Sequence, residues 1–286
     1  MEGYLEKCDP LDWRRFLIAV KRLADSLSYG TDASPFLGAG IEYVQSRPYQ
    51  WGDPVRAIDW RVTARASKVY IKEYEAPKRM PCYLLVDTSA SMTISSAVPS
   101  KYALAVYLAG GLAYACLERI SPVGVVAVGG RPLVVRPSLS RERILQWLYQ
   151  LRHFRYDEPT TLGQRIGELA ASLFHRVLVI VLSDMHDRDG LPALKRLAQL
   201  HDVAVLQLRD PAERGLRGCG FLRAREAETA RTFVTHGRRQ QLDQEALQRD
   251  LRRAGIDHLL LDTDKPLVVK VRQFFATRNL LGRGAR

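Results

Sequence analysis

Apolar residues first recur at helical spacing between Leu11 and Leu27, at Leu11, Phe16, Leu17, Val20, Leu23, Ala24 and Leu27. Steps of three and four put them on one face, so the segment predicts an amphipathic helix. Pro10 suits its first turn, and Ser28-Tyr29-Gly30 marks its end. Between Gly38 and Tyr74 the pattern changes to extended segments around irregular turns: Gly38 to Val44, Arg47-Pro48-Tyr49, and Val69 to Tyr74.

After Pro81 strands and helices alternate. Cys82 to Val86 reads as a strand, and Lys101 to Leu117 as a helix in which Gly110-Gly111 permits close approach of a neighbour. Val123 to Val128 is a second strand. A two-residue turn at Gly129-Gly130 leads into Leu133-Val134-Val135, which makes that third strand antiparallel. Arg141 to Leu151 and Thr161 to Leu173 are helical by spacing. Val177 to Leu182 is apolar without interruption and must be covered on both faces. A helix from Leu191 to Leu200, a strand from Val203 to Leu206, a helix from Leu242 to Ala254, a strand from Ile256 to Leu261 and a helix starting near Pro266 complete the series. Between Asp210 and Gln241 an arginine-rich excursion, read as a hairpin around Phe221 and Phe233, breaks the rhythm.

This alternation predicts an α/β fold with a doubly wound, mostly parallel sheet and helices on both faces. The expected division is an N-terminal helix and β-rich segment over residues 1–80, then an α/β domain over 81–286 with an insertion at about 210–241.

Composition changes the picture only a little. At 286 residues, 47% hydrophobic and 26% charged, the chain has the make-up of an ordinary globular protein. No apolar run approaches the roughly 20 residues of a membrane span, and the polar first residues do not form a signal peptide, so a cytoplasmic location is expected. Cys8, Cys82, Cys116 and Cys219 lie far apart and suggest neither a disulfide framework nor a zinc site. The net charge of +12 raises a nucleic-acid partner. Yet the arginines are interspersed with acids, only Lys265 to Arg286 lacks them, and no zinc-finger or ribonucleoprotein-type motif is present.

The chemistry concentrates where the strand Cys82–Val86 runs into Asp87-Thr88-Ser89-Ala90-Ser91. Packing alone does not call for hard oxygen donors at alternate positions after a buried strand, whereas Mg²⁺ or Mn²⁺ does. The competing reading is a turn that caps the next helix. Asp184 ends the fourth strand in the same way. If the strand order is 3-2-1-4-5-6, the first and fourth strands adjoin and both carboxylates meet at one crevice beyond the sheet. Thr160, at the start of a helix, offers a hydroxyl from a third direction. Upstream, Arg47, Tyr49, Trp51, Gly52, Asp53, Arg56, Asp59, Trp60 and Arg65 predict an Arg and Asp network over the stacked faces of Trp51 and Trp60; the alternative is that the network only holds the loop's shape.

An enzyme would need a nucleophile or general base, and His186 and Asp187 are the nearest. A lone His on a loop reads as solvated surface, position 89 is Ser where a haloacid dehalogenase-type phosphatase needs Asp, and no P-loop is present. No catalytic residue is assigned, and a non-enzymatic role is expected.

Together these motifs resemble known families. Asp87-x-Ser89-x-Ser91, Thr160 and Asp184 resemble the metal-ion-dependent adhesion site of von Willebrand factor A domains. Arg47-Pro48-Tyr49-x-x-Gly52-Asp53-x-x-Arg56-x-Ile58-Asp59-Trp60-x-x-x-Ala64-Arg65 is similar to the signature of the "domain of unknown function 58" family, which couples such a segment to a von Willebrand A-like domain. The resemblance implies a Mg²⁺ ion held by hydroxyls, with the carboxylates bound directly or through water and one position left for a partner protein's carboxylate. It also implies work alongside MoxR-type AAA+ ATPases in assembling or activating other proteins, in a form without the N-terminal membrane helices of many relatives. One departure stands: the family has Gly before the threonine and an acid after it, where this chain has Pro159 and Thr161. Thr160 and Thr161 both remain open as the ligand, and Thr160 is favoured because Leu162 then stands two residues beyond it.

Overall fold

The computed structural model describes residues 2–4, 10–28, 42–51, 53, 55, 58–66, 68–75, 80–96, 98–214, 221–225, 232–236 and 242–280. In chain order the elements are β1 (Glu2–Tyr4), α1 (Pro10–Ser28), β2 (Glu42–Pro48), α2 (Trp60–Thr63), β3 (Tyr70–Glu75), β4 (Cys82–Asp87), α3 (Ala90–Thr93), α4 (Lys101–Glu118), β5 (Val123–Val128), β6 (Val134–Ser138), α5 (Arg141–Leu151), β7 (His153–Arg155), α6 (Leu162–Ser172), β8 (Leu178–Ser183), α7 (Gly190–Leu197), β9 (Asp202–Arg209), a 3₁₀ turn (Pro211–Arg214), β10 (Phe221–Arg225), β11 (Thr232–His236), α8 (Gln244–Arg253), β12 (Asp257–Asp262) and α9 (Val268–Leu280).

Six strands form one sheet in the order β12-β9-β8-β4-β5-β6, so the first and fourth of the six in chain order, β4 and β8, are hydrogen-bonded neighbours. Every pairing in it is parallel except β5 with β6. The turn into β6 is longer than Gly129-Gly130 and runs to Leu133, whose carbonyl accepts from Ala127 N.

The apolar runs alternate between two cores. Cys82, Leu84 and Val86 of β4 and Leu178, Ile180 and Leu182 of β8 face α1, α4, α5 and α9. Tyr83, Leu85, Val179 and Val181 face α6, α7 and α8. Both strands are therefore covered on each face, as an uninterrupted apolar run requires. Helix α1 docks on α4 at the predicted glycine pair: a Cβ at Gly111 would collide with Leu23, and one at Gly110 would crowd Val20. Leu23, Ala24 and Leu27 thereby join the main core.

The β-rich segment is an antiparallel hairpin of β2 and β3. The excursion after β9 contains a second hairpin, β10 with β11. Within the acid-free tail, Leu267, Val271 and Phe275 are buried in the main core. One pairing carried no sequence signal: β1 adds antiparallel to β7, three residues each. Residues 38–41 of the first predicted extended segment lie outside the described residues, as do Cys8 and Cys219; Cys82 and Cys116 are free thiols in the core.

Candidate functional site

Strand β4 lies between β5 and β8, so its last residue, Asp87, emerges at the middle of the sheet's carboxyl edge with 1% exposure. The chain then turns at Thr88 into the single-turn helix α3, with Ser89 at the N-cap position. Ser89 does not cap it, since its side chain makes no bond to the helix N–H groups. Its Oγ instead lies 3.0 Å from Ser91 Oγ. The cap reading of this Asp and Ser turn therefore does not describe Ser89.

Asp87 accepts from Ser89 N (3.0 Å) on one oxygen and from Ser183 Oγ (2.5 Å) on the other. Burial pushes its pKa up to about 7, helped by the neighbouring Asp184 charge and opposed by the Ser183 and Ser89 hydrogen bonds. No basic side chain touches it among the described contacts.

A second loop is bolted to this one. Glu158, 3% exposed, accepts from Thr88 Oγ1 (2.7 Å) and Arg131 N (3.0 Å) and takes a forked contact from the Arg131 guanidinium. Its carbonyl accepts from Ala90 N (2.8 Å). Gly129 is required here by close approach, because a Cβ would strike Thr88 and Glu158. These ties fasten the loop bearing half-buried Thr160 to Thr88 and Ala90, while Thr161 Oγ1 donates to the Gly129 carbonyl (3.0 Å).

Asp184, also 1% exposed, follows β8 directly. Its Oδ2 accepts from Lys101 Nζ (2.8 Å), and its Oδ1 faces His186 Nδ1 (3.1 Å) and accepts from His186 N (3.3 Å). Lys101 is the first residue of α4, 2% exposed, and also donates to Glu213 of the 3₁₀ turn. Burial alone would raise the Asp184 pKa, but the Lys101 ammonium and His186 outweigh it and hold the carboxyl well below the usual range. Burial would likewise lower Lys101 and His186, and their carboxylate partners raise both. The chain folds back at Met185, whose φ of 64° is unusual for a side chain with a Cβ and carries His186 toward Asp184. His186 is thus a partnered, 25% exposed side chain and not the solvated histidine the sequence predicts. Asp187 does not join it: Oδ2 accepts from Gly163 N (2.8 Å) at the start of α6.

Of the five predicted ligands, Ser89 bonds Asp87 through its N–H and Ser91 through its hydroxyl, Asp184 directly follows Ser183, which donates to Asp87, and Thr160 is on the loop tied to Ala90 by Glu158. The hydroxyl pair fits a small ion: octahedral Mg²⁺ bonds of about 2.1 Å set neighbouring ligand oxygens about 3.0 Å apart. Sequence reading missed Lys101, Glu213, Ser183 and the Glu158–Arg131 pair. Lys101 left one signal: a cation in the first turn of a helix opposes the helix dipole and calls for an acidic partner.

In its described part the upstream signature makes contacts within its own hairpin. Arg47 grips Asp53 with both nitrogens (2.8 and 2.9 Å), and Gln50 N donates to Asp53 Oδ2. Asp59, 5% exposed, caps α2 through Arg61 N and Val62 N and accepts from Ser46 Oγ (2.8 Å). Tyr49 N donates to Val69 O, and Arg65 is exposed. The predicted stacking does not occur, since Trp51 is 99% and Trp60 69% exposed. The Arg47–Asp53 pair and the Asp59 cap hold the backbone of the hairpin, and that needs no aromatic platform. Gly52 and Arg56 lie outside the described residues.

The family model described as "Protein of unknown function DUF58" matches residues 45–257, from the signature hairpin to the start of β12. The chain belongs to the DUF58 family. Two relatives are the uncharacterized proteins Rv1480 of Mycobacterium tuberculosis (strain ATCC 25618 / H37Rv) and Mb1516 of Mycobacterium bovis. Each is 26% identical over 282 residues, covering 93% of this chain and 88% of its own. Among solved structures, the conserved hypothetical protein BatB from Bacteroides thetaiotaomicron overlaps 70% of this chain and 99% of its own, at 18% identity and a TM-score of 0.47. An uncharacterized membrane-spanning protein from Vibrio fischeri overlaps 70% of this chain and 97% of its own, at 14% identity and a TM-score of 0.25. Among the described residues of this DUF58 chain, no helix is long and apolar enough to cross a membrane.

Proposed function

We propose that this DUF58 chain is a protein-docking module of von Willebrand A-like design, whose crevice holds Mg²⁺ or Mn²⁺ for a partner's carboxylate to grip. The observation that carries the reading is the pair of hydroxyls, Ser89 and Ser91, 3.0 Å apart beside a buried Asp87. A buried carboxylate without a cation is costly, and a hard divalent ion supplies the missing charge. Thr160 is taken as the third ligand on the family pattern, and the Thr161 hydroxyl is turned to Gly129. Exposed Trp51 and Trp60 on the signature hairpin support a protein partner, since large exposed aromatics mark contact surfaces. By family resemblance the partner is a MoxR-type AAA+ ATPase, in the assembly or activation of other proteins. Calorimetric titration should give one Mg²⁺ site in the wild type and none in Asp87→Asn, with capture of a MoxR-type ATPase lost in that variant and in EDTA. Capture that survives both changes would sink the metal bridge.

A Mg²⁺-dependent phosphohydrolase is the second reading, favoured by one observation: His186 Nδ1 lies 3.1 Å from Asp184 Oδ1, close enough for a carboxylate to serve a general acid–base histidine. Against it, the cleft lined by His186, Gln207 and Glu213 holds only about 40 Å³, room for a few waters. Turnover of phosphate esters that is abolished by His186→Ala decides for it.

A further inference from the structure

The crevice already contains a cation. Lys101 Nζ sits against Asp184 and Glu213, on a side chain 2% exposed, and the third member of that cluster is His186. One ligand atom from each of Asp184, His186 and Glu213 falls within 4.8 Å of the other two. Two carboxylates and an imidazole at that spacing form a donor set for zinc-like metals, softer than the Asp87 and serine set beside it. The two sets share one wall, because Ser183 bonds Asp87 and precedes Asp184. We propose that Lys101 is the resident cation of this cluster: its ammonium takes the place a divalent metal would hold between Asp184, His186 and Glu213, and so confines divalent binding to the Asp87 side. The second half of this rests on the docking reading above; the first half does not.

Three physical points support it. An ammonium carried on α4 is supplied at folding and needs no free ion, so the cluster is neutralised at any metal concentration. A Lys at a helix start is disfavoured by the dipole, so the position is occupied against local preference. With Lys101 in place, a zinc-like ion would have to enter beside a buried positive charge, which repels it strongly in a low-dielectric setting.

The test is metal uptake by wild type, Lys101→Met and Lys101→Met/His186→Ala, with Zn²⁺ by equilibrium dialysis and Co²⁺ by its visible d–d absorption. Lys101→Met is expected to bind one more Zn²⁺ than wild type, with affinity at that position raised about a hundredfold or more, the upper range for losing one determinant of a metal site. The extra ion and its Co²⁺ band should vanish in the double variant. If Lys101→Met does not fold, Lys101→Gln/Glu213→Gln removes one charge of each sign and should gain Zn²⁺ more weakly through Asp184 and His186. Zn²⁺ uptake equal to wild type in the folded variant overturns the proposal. So does wild-type Zn²⁺ binding that is lost in His186→Ala. A wild type that binds no Mg²⁺, with Lys101→Met gaining Zn²⁺, refutes the docking reading and leaves Lys101 as the resident cation. Wild-type Mg²⁺ binding with no gain in Lys101→Met does the reverse.

Discussion

Asp87 and Asp184 end neighbouring strands of one sheet, and each is buried to 1% exposure, yet their surroundings differ in kind. Asp184 has an ammonium and an imidazole within 3.1 Å and stays ionised. Asp87 has hydroxyls and one backbone N–H, and its proton is held up to about pH 7, first by burial and then by the charge of Asp184. Two carboxylates side by side cannot both ionise cheaply unless each is given a positive charge. The fold gives one to Asp184, and among the described contacts none reaches Asp87. On the docking reading proposed above, the open charge lies on the Asp87 side, while the Asp184 charge is already met by Lys101 and His186.

The largest way to break this comparison is to take away the internal cation. Lys101→Met leaves Asp184 and Glu213 facing each other without it, and should cost about 3–5 kcal/mol in urea unfolding, the range for breaking a buried ion pair from one side. Asp87→Asn should cost far less in metal-free buffer, since no partner charge is orphaned.

The pH dependence sharpens the same contrast. The folded-state pKa of Asp87 is raised above its ordinary value of 3.8, so the folded state keeps a proton that the unfolded state gives up. Its contribution to stability is complete below about pH 4 and is lost as pH rises toward 7, at about 1.4 kcal/mol per unit. His258 acts oppositely over much of that window: burial lowers its pKa to about 4, so the unfolded state takes the proton first and stability falls as pH falls below 6.5. Relative to wild type, Asp87→Asn should therefore gain stability with rising pH between about 4.5 and 6.5, and His258→Gln should lose it. Unfolding midpoints for the three proteins across that range check this. Parallel curves would show that Asp87 is not held protonated.

Smaller effects follow from the loops. Thr88→Val removes the hydroxyl donor to buried Glu158 and should destabilise by about 1–3 kcal/mol. It should also weaken Mg²⁺ binding by loosening the Thr160 loop. Ser91→Ala should leave stability within about 0.5 kcal/mol. It should nonetheless weaken Mg²⁺ binding by about tenfold or more, the scale for losing a group that orients a metal site. Calorimetry on the two variants separates these outcomes, and unchanged affinity in Ser91→Ala would remove the serine pair from the site.

Much of this was legible beforehand because it is local. The apolar runs predict β4 and β8, their uninterrupted character predicts cover on both faces, and the glycine pair of α4 predicts the close approach that α1 makes. Asp87, Ser89 and Ser91 stand out because three hard donors interrupt an apolar pattern within five residues. The Trp51 and Trp60 stacking failed because composition reveals which residues are near in sequence and not which faces they turn outward. His186 was misjudged for the same reason, since its partner becomes visible only once Met185 turns the chain back.

The order of elements, the two faces of each central strand and the oxygen-rich loop after β4 are all written in local sequence. These follow from side-chain period and type within windows of a few residues. Which carboxylate receives the internal cation is set by packing between distant segments. Lys101 is 83 positions from Asp184 and 112 from Glu213, and no periodicity links them. They meet because α4 starts at the carboxyl edge of the sheet, where the 3₁₀ turn is bolted down by Ser95 and Ser96 on Asp210. A buried charge is settled by whatever opposite charge the fold brings within about 3 Å, and that distance is a property of packing.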